Sequence, residues 1–297
     1  VYGIDPQSWA ELRNSPDRPM LNRALNGAYP PGSTFKPFIA LAALTYGKRT
    51  PQQGIADPGF YMLGNHQFRD DAVGGHGWVD MYKSIVVSCD TYYYVLANDL
   101  GIESIAKFMS QLGFGSRTGI DLTGEASGTL PSREWKKKRF GRDWFAGETV
   151  SVSIGQGYNA YTPLQLASAI ATLANDGLMF RPHVVDYIED VRTKARTLVE
   201  PKPLRNLGWD PEHIAVIKRA MVGVNKEGTG ARAFAGAVRT APNTRRMRSM
   251  HAGSSFSRKS IVPEICACIS APPRAWRSGS SPIAAFTSGG PPRKMVP

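Results

Sequence analysis

A serine and a lysine three residues apart give the strongest chemical signal in this 297-residue sequence. They are Ser33 and Lys36, within the segment Pro-Gly-Ser-Thr-Phe-Lys-Pro at 31–37. If Ser33 opens a helix, Lys36 lies one turn later on the same face, where Cβ atoms approach to about 5–6 Å. A lysine base must be neutral, and burial beside Phe35 and Phe38 favours that form. The spacing predicts a serine nucleophile with a lysine general base.

A second polar element, Ser88-Cys89-Asp90, lies 55 residues after Ser33 at a break between two predicted helices. Such a junction directs side chains into a cleft rather than along a helix face. Ser88 there can relay a proton between Lys36 and a leaving amine. The structural alternatives are that Ser33 caps a helix beside a solvated lysine, and that Asp90 caps the helix that follows.

Two carboxylates, an imidazole and a thiol lie within 33 residues and form an independent constellation. The donors are Asp57, Asp70, His76 and Cys89, a set compatible with a closed tetrahedral zinc site. Asp71 competes with Asp70 for the second position. The alternative is that Asp57 belongs to a turn, His76 to a loop and Cys89 to the apolar core.

Caps and apolar spacing predict the helices that position these residues. We expect one buried helix over 33–46, a short helix from Asp80 through Val87, and two more that end at Gly101 and Gly113. Further helices begin at Thr162, with a capping box completed by Gln165, and at Asp210. The strand signals are few, and the best are residues 183–191, with Val199 in a partner strand.

Two short motifs near these helices are better explained as ordinary structural features than as binding sites. The four-charge run at 136–139 lies between Trp135 and Phe140 and can touch lipid phosphate or nucleic acid, but such runs are usually solvated loops. The segment Gly155-Gln156-Gly157 lacks the lysine and the βαβ context of a phosphate-binding loop. It fits better as a turn packed near the active-site cleft.

The net charge of +12 is concentrated at the C-terminal end. Residues 238–297 carry ten Lys and Arg against the single acid Glu264, whereas residues 1–237 have a net charge of +3. The same sixty residues contain eight prolines and ten serines. We therefore expect two regions, a domain over 1–237 and a basic, poorly ordered tail over 238–297.

Cysteine content and hydropathy exclude two classes of protein. Three cysteines cannot form a multi-disulfide scaffold. The longest apolar stretch, at 38–44, is far shorter than the roughly 20 residues of a membrane-spanning helix. Because the sequence opens at Val1 in mid-pattern, we expect a fragment of a longer protein.

Further motifs around Ser33 and Ser88 point to a particular protein family. The sequence resembles the serine acyl-transferases that bind penicillin, and among them the penicillin-binding protein 2 group of elongation-type class B D,D-transpeptidases. The likeness covers about residues 1–237. The motifs that carry it are Leu21-Asn-Arg-Ala-Leu-Asn-Gly, Tyr29-Pro-Pro-Gly-Ser-Thr-Phe-Lys-Pro, Ser88-Cys-Asp-Thr-Tyr, Leu130-Pro-Ser-Arg-Glu-Trp, Gly147-Glu-Thr-Val-Ser, Ile154-Gly-Gln-Gly-Tyr and Thr162-Pro-Leu-Gln-Leu.

The resemblance implies an α+β fold of the penicillin-binding and beta-lactamase-like type, with the helical lobe largely present and the central antiparallel sheet incomplete. It implies cross-linking of peptidoglycan stem peptides at D-Ala-D-Ala, with covalent binding of beta-lactams. Ser33 would be the nucleophile, Lys36 the base and Ser88 the relay. Asp90 stands where many relatives have Asn, a departure also found in this group.

The resemblance also implies a setting and a metal. Acyl transfer itself needs no cofactor, but members of the group hold a metal with an Asp, Asp, His, Cys order, which favours a structural zinc here. We expect the periplasmic face of the inner membrane, an anchor upstream of this fragment, membrane proteins of the elongation complex as partners, and no nucleic acid.

One family element is missing from the sequence. The Lys-Thr-Gly strand that follows the turn matching Glu227-Gly-Thr-Gly-Ala would supply substrate-carboxylate contacts and the second oxyanion N–H, but the chain contains no Lys-Thr-Gly. Loss of one oxyanion donor costs roughly 10²–10³ in rate in a well-studied protease. We therefore expect weak or absent catalysis. The alternatives are a non-catalytic fragment or binding module, and a beta-lactamase.

Overall fold

The computed structural model describes residues 3–234 of the chain. Helices dominate this part, which contains ten α-helices and a 3₁₀-helix at Gly32–Phe35. The predicted tail at 238–297 lies outside the described residues. The α-helices are α1 (Pro6–Asn14), α2 (Arg23–Asn26), α3 (Lys36–Thr45), α4 (Met81–Val86), α5 (Asp90–Gln111), α6 (Arg133–Phe140), α7 (Ala146–Ser153), α8 (Pro163–Ala174), α9 (Pro211–Lys226) and α10 (Ala231–Phe234).

The strands form four separate two-stranded antiparallel sheets. The described residues therefore have the incomplete sheet that the resemblance implied. The pairs are β1 (Ile55–Asp57) with β4 (Gly77–Val79), β2 (Phe60–Leu63) with β3 (His66–Arg69), β5 (Leu178–Phe180) with β8 (Pro203–Asn206), and β6 (Tyr187–Glu189) with β7 (Arg196–Leu198).

The core is built around α3, whose residues from Lys36 to Leu44 are all buried. It packs against α5 and α9. A helix that is apolar on every side must be covered on every side, so α3 lies at the centre of the fold. Pro37 is tolerated because it occupies the first turn, where backbone N–H groups have no partner inside the helix.

Side-chain caps set several helix starts where the sequence predicts them. Asp80 accepts a hydrogen bond from the Lys83 N–H and begins α4. Thr162 and Gln165 form the predicted capping box of α8, and Asp210 caps α9. Gly101 (φ 69°, ψ 158°) kinks α5 where one predicted helix ends and the next begins.

The predicted strand over 183–191 is shorter in the structure. Its regular part is β6, which pairs with β7 in the register Tyr187 to Leu198. Val199 lies one residue past β7 rather than inside it. The Asp121 carboxylate instead holds the segment before β6, because it accepts hydrogen bonds from the N–H groups of Val184 and Val185.

Candidate functional site

Ser33 lies in a 3₁₀-helix, not at the N-cap of an α-helix as the sequence suggested. The 3₁₀ turn covers Gly32–Phe35, and α3 begins at Lys36. Pro37 has no N–H to donate to the Ser33 carbonyl, and the Lys36 N–H donates to that carbonyl instead, which gives the tighter turn. In a 3₁₀ turn residues i and i+3 eclipse, so Ser33 and Lys36 still share a face.

Lys36 is buried in an apolar environment, with 2% of its surface exposed. Phe35 and Phe38 on either side of it are fully buried. The ammonium nitrogen lies 5.4 Å from the centre of the Tyr93 ring. A buried lysine must be hydrogen-bonded or paired, because desolvation of an isolated charge is costly.

The partners of Lys36 come from the corner between α4 and α5. Ser88 occupies this corner in the left-handed conformation, with φ 62°. The Cys89 N–H donates to the Ser84 carbonyl at 3.0 Å and closes the end of α4. A non-glycine residue in this region is uncommon and costs conformational free energy, so the surrounding structure must hold Ser88 in place.

A continuous chain of polar contacts joins the four predicted catalytic side chains. The Ser88 hydroxyl donates to Ser33 Oγ at 2.9 Å. The Lys36 ammonium donates to Ser88 Oγ at 3.0 Å and also to the Ser88 carbonyl. The same ammonium forms a salt bridge with Asp90 Oδ1 at 2.6 Å. The path therefore runs from Ser33 through Ser88 to Lys36 and ends at a carboxylate.

Asp90 does not cap α5, which corrects the interpretation that gave it that role. Cys89 is the N-cap, and its Sγ accepts a hydrogen bond from the Tyr92 N–H at 3.4 Å. The Asp90 carboxylate is consequently available to Lys36. Burial raises the pKa of Asp90, and the charge of Lys36 opposes that rise. The carboxylate depends on the lysine to remain ionised.

The loop after α7 supports the backbone at Ser33. The Gly32 N–H donates to the Gly155 carbonyl at 3.0 Å. Gly155 has φ 73°, and a Cβ there would lie 2.2 Å from the Gly32 carbonyl oxygen. Only glycine permits this approach. The turn predicted at Gly155-Gln156-Gly157 thus packs directly against the segment that carries Ser33.

The four predicted metal donors also converge. One ligand atom from each of Asp57, Asp70, His76 and Cys89 lies within 4.8 Å of all the others. Cys89 Sγ is 3.4 Å from both carboxylates, and His76 Nδ1 is 2.9 Å from Asp57 Oδ2. A tetrahedron with metal–ligand bonds of about 2.0–2.3 Å has edges of about 3.3–3.8 Å. The donor set and its spacing fit Zn²⁺.

Backbone N–H groups orient the two carboxylates of this cluster. Burial opposes ionisation of Asp70, but hydrogen bonds from the Thr91 and Ala72 N–H groups and from the Asp71 side chain together lower its pKa to about 2. Asp57 accepts from the N–H groups of Gly59 and His76, and its pKa is lowered as well. Both groups are thus held in the ionised form that binds a cation.

Asp71 lies outside the cluster and differs from Asp70 in its state. Burial, the hydrogen bond to Asp70 and the charge of that carboxylate raise the pKa of Asp71 to about 6. Asp71 therefore retains its proton to higher pH and donates it to Asp70. Of the two candidates for the second carboxylate, the structure brings Asp70 to the other three donors.

Sequence reasoning missed one buried ion pair near the site. Lys136 lies in α6, not in a solvated loop, and its ammonium pairs with Glu148 Oε1 at 2.5 Å. The other Glu148 oxygen accepts from the Phe145 N–H and caps α7. The pair fixes the helix that leads into the Gly155 turn. The spacing of twelve residues between the partners gives no periodic signal in the sequence.

Comparison with known proteins identifies the family. The model for the family described as "Penicillin binding protein transpeptidase domain" matches residues 4–241. The chain belongs to this family. Its resemblance to the penicillin-binding protein 2 group is confirmed, because 42% of 240 residues are identical to the peptidoglycan D,D-transpeptidase MrdA of Acinetobacter baumannii. That alignment covers 77% of this chain and 34% of the relative.

Solved structures of penicillin-binding transpeptidases have the same fold. The Pseudomonas aeruginosa PBP2 structure in complex with WCK 5153 matches with a TM-score of 0.71 and 42% identity, over 79% of this chain and 53% of that one. PBP2 from Helicobacter pylori in complex with MreC matches with a TM-score of 0.69 and 34% identity, over 80% and 42%. The chain spans about a third of the length of the curated transpeptidase it matches. Among the described residues, no helix is long and apolar enough to cross a membrane.

Proposed function

We propose that this penicillin-binding transpeptidase chain forms an acyl-enzyme on Ser33 with D-Ala-D-Ala stem peptides and with beta-lactams. The polar chain from Ser33 through Ser88 to Lys36 and Asp90 carries this proposal. It gives a hydroxyl nucleophile, a buried amine and a route for the proton between them. The identity of the curated relatives as peptidoglycan D,D-transpeptidases supports the same substrate class.

The proposed reaction uses each group in turn. In the structure the hydrogen bonds run from the Lys36 ammonium through Ser88 to Ser33, so before attack Lys36 must release a proton and both bonds must reverse. Ser33 Oγ then attacks the carbonyl carbon of the D-Ala-D-Ala amide, and its proton passes by way of Ser88 to the neutral Lys36 amine. The C–N bond then breaks, and the proton returns through Ser88 to the nitrogen of the departing D-alanine. An amine from a neighbouring strand attacks the acyl-enzyme, forms the new amide bond and gives its proton back to Ser33. Asp90 stabilises the ammonium form of Lys36.

The sequence contains no Lys-Thr-Gly, and this limits the rate that we propose for this chain. Without the second oxyanion N–H, we expect acylation roughly 10²–10³ slower than in a family member with the complete motif. A non-catalytic fragment or binding module is the second candidate function, because that strand also supplies contacts to the substrate carboxylate.

A beta-lactamase has weaker support from the structure. Such an enzyme needs a carboxylate free to activate water against the acyl-enzyme. The buried Glu125 carboxylate already accepts the N–H groups of Thr118 and Gly119, at 2.7 and 3.1 Å. Asp90 is paired with Lys36. We therefore propose a long-lived acyl-enzyme.

The fate of a fluorescent penicillin distinguishes these functions. The chain is incubated with the compound, and covalent label and hydrolysed product are followed over time. We expect slow labelling with a bound fraction that persists for many minutes, because Glu125 and Asp90 are already engaged and are not free to activate water. Rapid hydrolysis without accumulated label would support the beta-lactamase, and a folded chain that takes up no label would support the binding module.

We propose that Asp57, Asp70, His76 and Cys89 hold a structural zinc. The metal would neutralise two buried carboxylates and a thiolate, and it would fix Cys89, which is adjacent to Ser88. Burial raises the pKa of the Cys89 thiol above its usual range, so the metal-free thiol keeps its proton. Zinc binding would displace this proton, as thiolate coordination requires.

Metal analysis of the purified chain tests the zinc proposal. We expect about one zinc per chain and a loss of most of it in Cys89→Ser, because a hydroxyl is a poor substitute for a thiolate. Cys266→Ser is the matched control, since it removes a thiol that is not among the four donors. Equal, low zinc content in the original chain and in Cys89→Ser would contradict the proposal.

We propose a periplasmic location at the inner membrane and contacts with elongation-complex proteins for the whole protein. The support for the partner is the Helicobacter pylori PBP2 structure, which contains MreC, and the location is what the resemblance to the family implies. Co-purification of the whole protein with an MreC homologue tests this partner, and no retention of the homologue above the background on empty resin would contradict it.

A further inference from the structure

An aromatic and basic surface on α6 is not used by the proposed chemistry. We name it the α6 surface. It contains three rings and three cations, which are Trp135, Phe140, Tyr158, Lys138, Arg139 and Arg142. Aromatic rings beside unpaired cations are typical of binding surfaces rather than of ordinary solvated helix faces.

The three rings form one contiguous patch. The Trp135 ring centre lies 5.2 Å from that of Tyr158 and 5.6 Å from that of Phe140, and Phe140 lies 5.6 Å from Tyr158. Phe140 is 49% exposed, and the other two rings are partly exposed. Because each ring is held by its neighbours, the patch offers rigid apolar faces whose ordering costs little entropy on binding.

The lysines and arginines at 136–142 divide into two groups, those with an acidic partner among the described residues and those without one there. Lys136 is buried against Glu148, and Lys137 pairs with Asp143 at 2.8 Å. Lys138 and Arg139 are exposed, as is Arg142 in the following turn. No salt bridge in the described part of the chain involves these three cations.

The exposed cations and the aromatic patch lie side by side. Lys138 and Arg139 follow Trp135 by three and four residues and therefore share its face of α6. Arg142 lies close enough to Tyr158 for its charge to oppose the rise in the pKa of Tyr158 that burial and Glu148 cause. An occupant of the α6 surface would meet apolar rings and positive charge together.

A short backbone path joins the α6 surface to the candidate catalytic site. Tyr158 is three residues from Gly155, so their Cα atoms are at most about 11 Å apart. The Gly155 carbonyl accepts the Gly32 N–H at 3.0 Å, and Gly32 directly precedes Ser33. Tyr158 therefore lies within about 20 Å of Ser33, a distance that a polymer of repeating units can span.

We propose that the α6 surface binds the uncross-linked peptidoglycan strand whose stem peptide enters the site at Ser33. The inference rests on the proposed function. The apolar C–H faces of pyranose rings stack on aromatic side chains, and stem-peptide carboxylates pair with lysine and arginine. Both chemistries occur together on such a strand, and its repeating units extend beyond the acylated peptide.

Binding of purified, uncross-linked strands with intact stem peptides tests the proposal. The full chain carries Ser33→Ala, so that only non-covalent binding is measured. We expect K138E/R139E to weaken strand binding about tenfold or more at 0.1 M salt, and F140A to weaken it severalfold. K202E/R205E is the matched control, because it makes the same change in charge at two exposed positions on and beside β8 and should leave binding unchanged.

Two further measurements, penicillin labelling and vesicle binding, separate the outcomes. Penicillin labelling of K138E/R139E with Ser33 intact should equal that of the unaltered chain, because the small compound does not reach α6. If the original chain takes up no label but K138E/R139E still loses strand binding, the acylation proposal is wrong and the inference that the α6 surface binds the strand is supported. Equal strand binding by K138E/R139E and K202E/R205E would overturn the inference. Loss of binding to phosphatidylglycerol vesicles but not to strands would overturn it in favour of a lipid surface.

Discussion

Replacement of Ser33 by alanine is expected to abolish covalent labelling by fluorescent penicillin. Ser33 Oγ accepts a hydrogen bond from the Ser88 hydroxyl at 2.9 Å. It lies at the exposed end of the polar chain, so this oxygen is the one positioned to attack. No neighbouring group can replace the bond that the alanine variant cannot form. The measurement is in-gel fluorescence after saturating exposure, with label on the original chain set as the reference.

Ser110→Ala is the matched control for this variant. Ser110 is exposed on α5, and its hydroxyl donates to the Lys107 carbonyl rather than to any group of the site. Its removal should leave the label unchanged. Persistence of label in Ser33→Ala at the level of Ser110→Ala would show that the nucleophile has been assigned to the wrong residue.

Replacement of Lys36 by methionine should slow acylation by about 10²–10⁴, the usual contribution of a general acid or base. Methionine preserves most of the buried volume but removes the amine that contacts Ser88 and Asp90. Removal of one partner from a buried ion pair also costs about 3–5 kcal/mol of unfolding free energy. Labelling rates must therefore be compared at a temperature where denaturation curves show both chains folded.

Two further lysine variants separate base chemistry from charge. Lys36→Arg retains a cation for Asp90 but cannot release a proton near neutral pH, so its labelling should also be slow. Lys48→Met, at an exposed position just after α3, should label at the original rate. Normal labelling by Lys36→Arg would show that Lys36 acts through its charge and not as a base.

The sequence was sufficient to predict the helices that begin or end at a strong local signal. The caps at Asp80, Thr162 and Asp210 are short-range side-chain to backbone hydrogen bonds, and so the residue types alone reveal them. The four short sheets gave weaker signals. Strands of three or four residues, mostly exposed, lack the alternation of apolar residues that identifies a strand.

Local geometry at the site was harder to predict because several local solutions compete. Ser33 was expected to open an α-helix, yet the chain forms a 3₁₀ turn there, whose tighter winding still places Ser33 and Lys36 on one face. The alternative interpretation placed Asp90 at the N-cap of α5, a position that Cys89 occupies in the structure. The second difference arises because cysteine and aspartate can both accept an N–H, and tertiary contacts decide which one does.

The relation between the two clusters could not come from spacing alone. The sequence named Asp57, Asp70, His76 and Cys89 as donors, but their meeting depends on strands and a helix start that are distant along the chain. The approach of Gly155 to Gly32 is likewise a tertiary contact. The sequence supplied the grouping, resemblance to a family favoured a metal there, and the structure supplied the distances.

Mass spectrometry of the chain after exposure to benzylpenicillin tests the central claim most directly. We predict that the intact mass rises by one benzylpenicillin molecule and that fragmentation places the added mass on Ser33. An adduct on any other residue, or no adduct on a chain that circular dichroism shows to be folded, would contradict an acyl-enzyme built on Ser33 and Lys36.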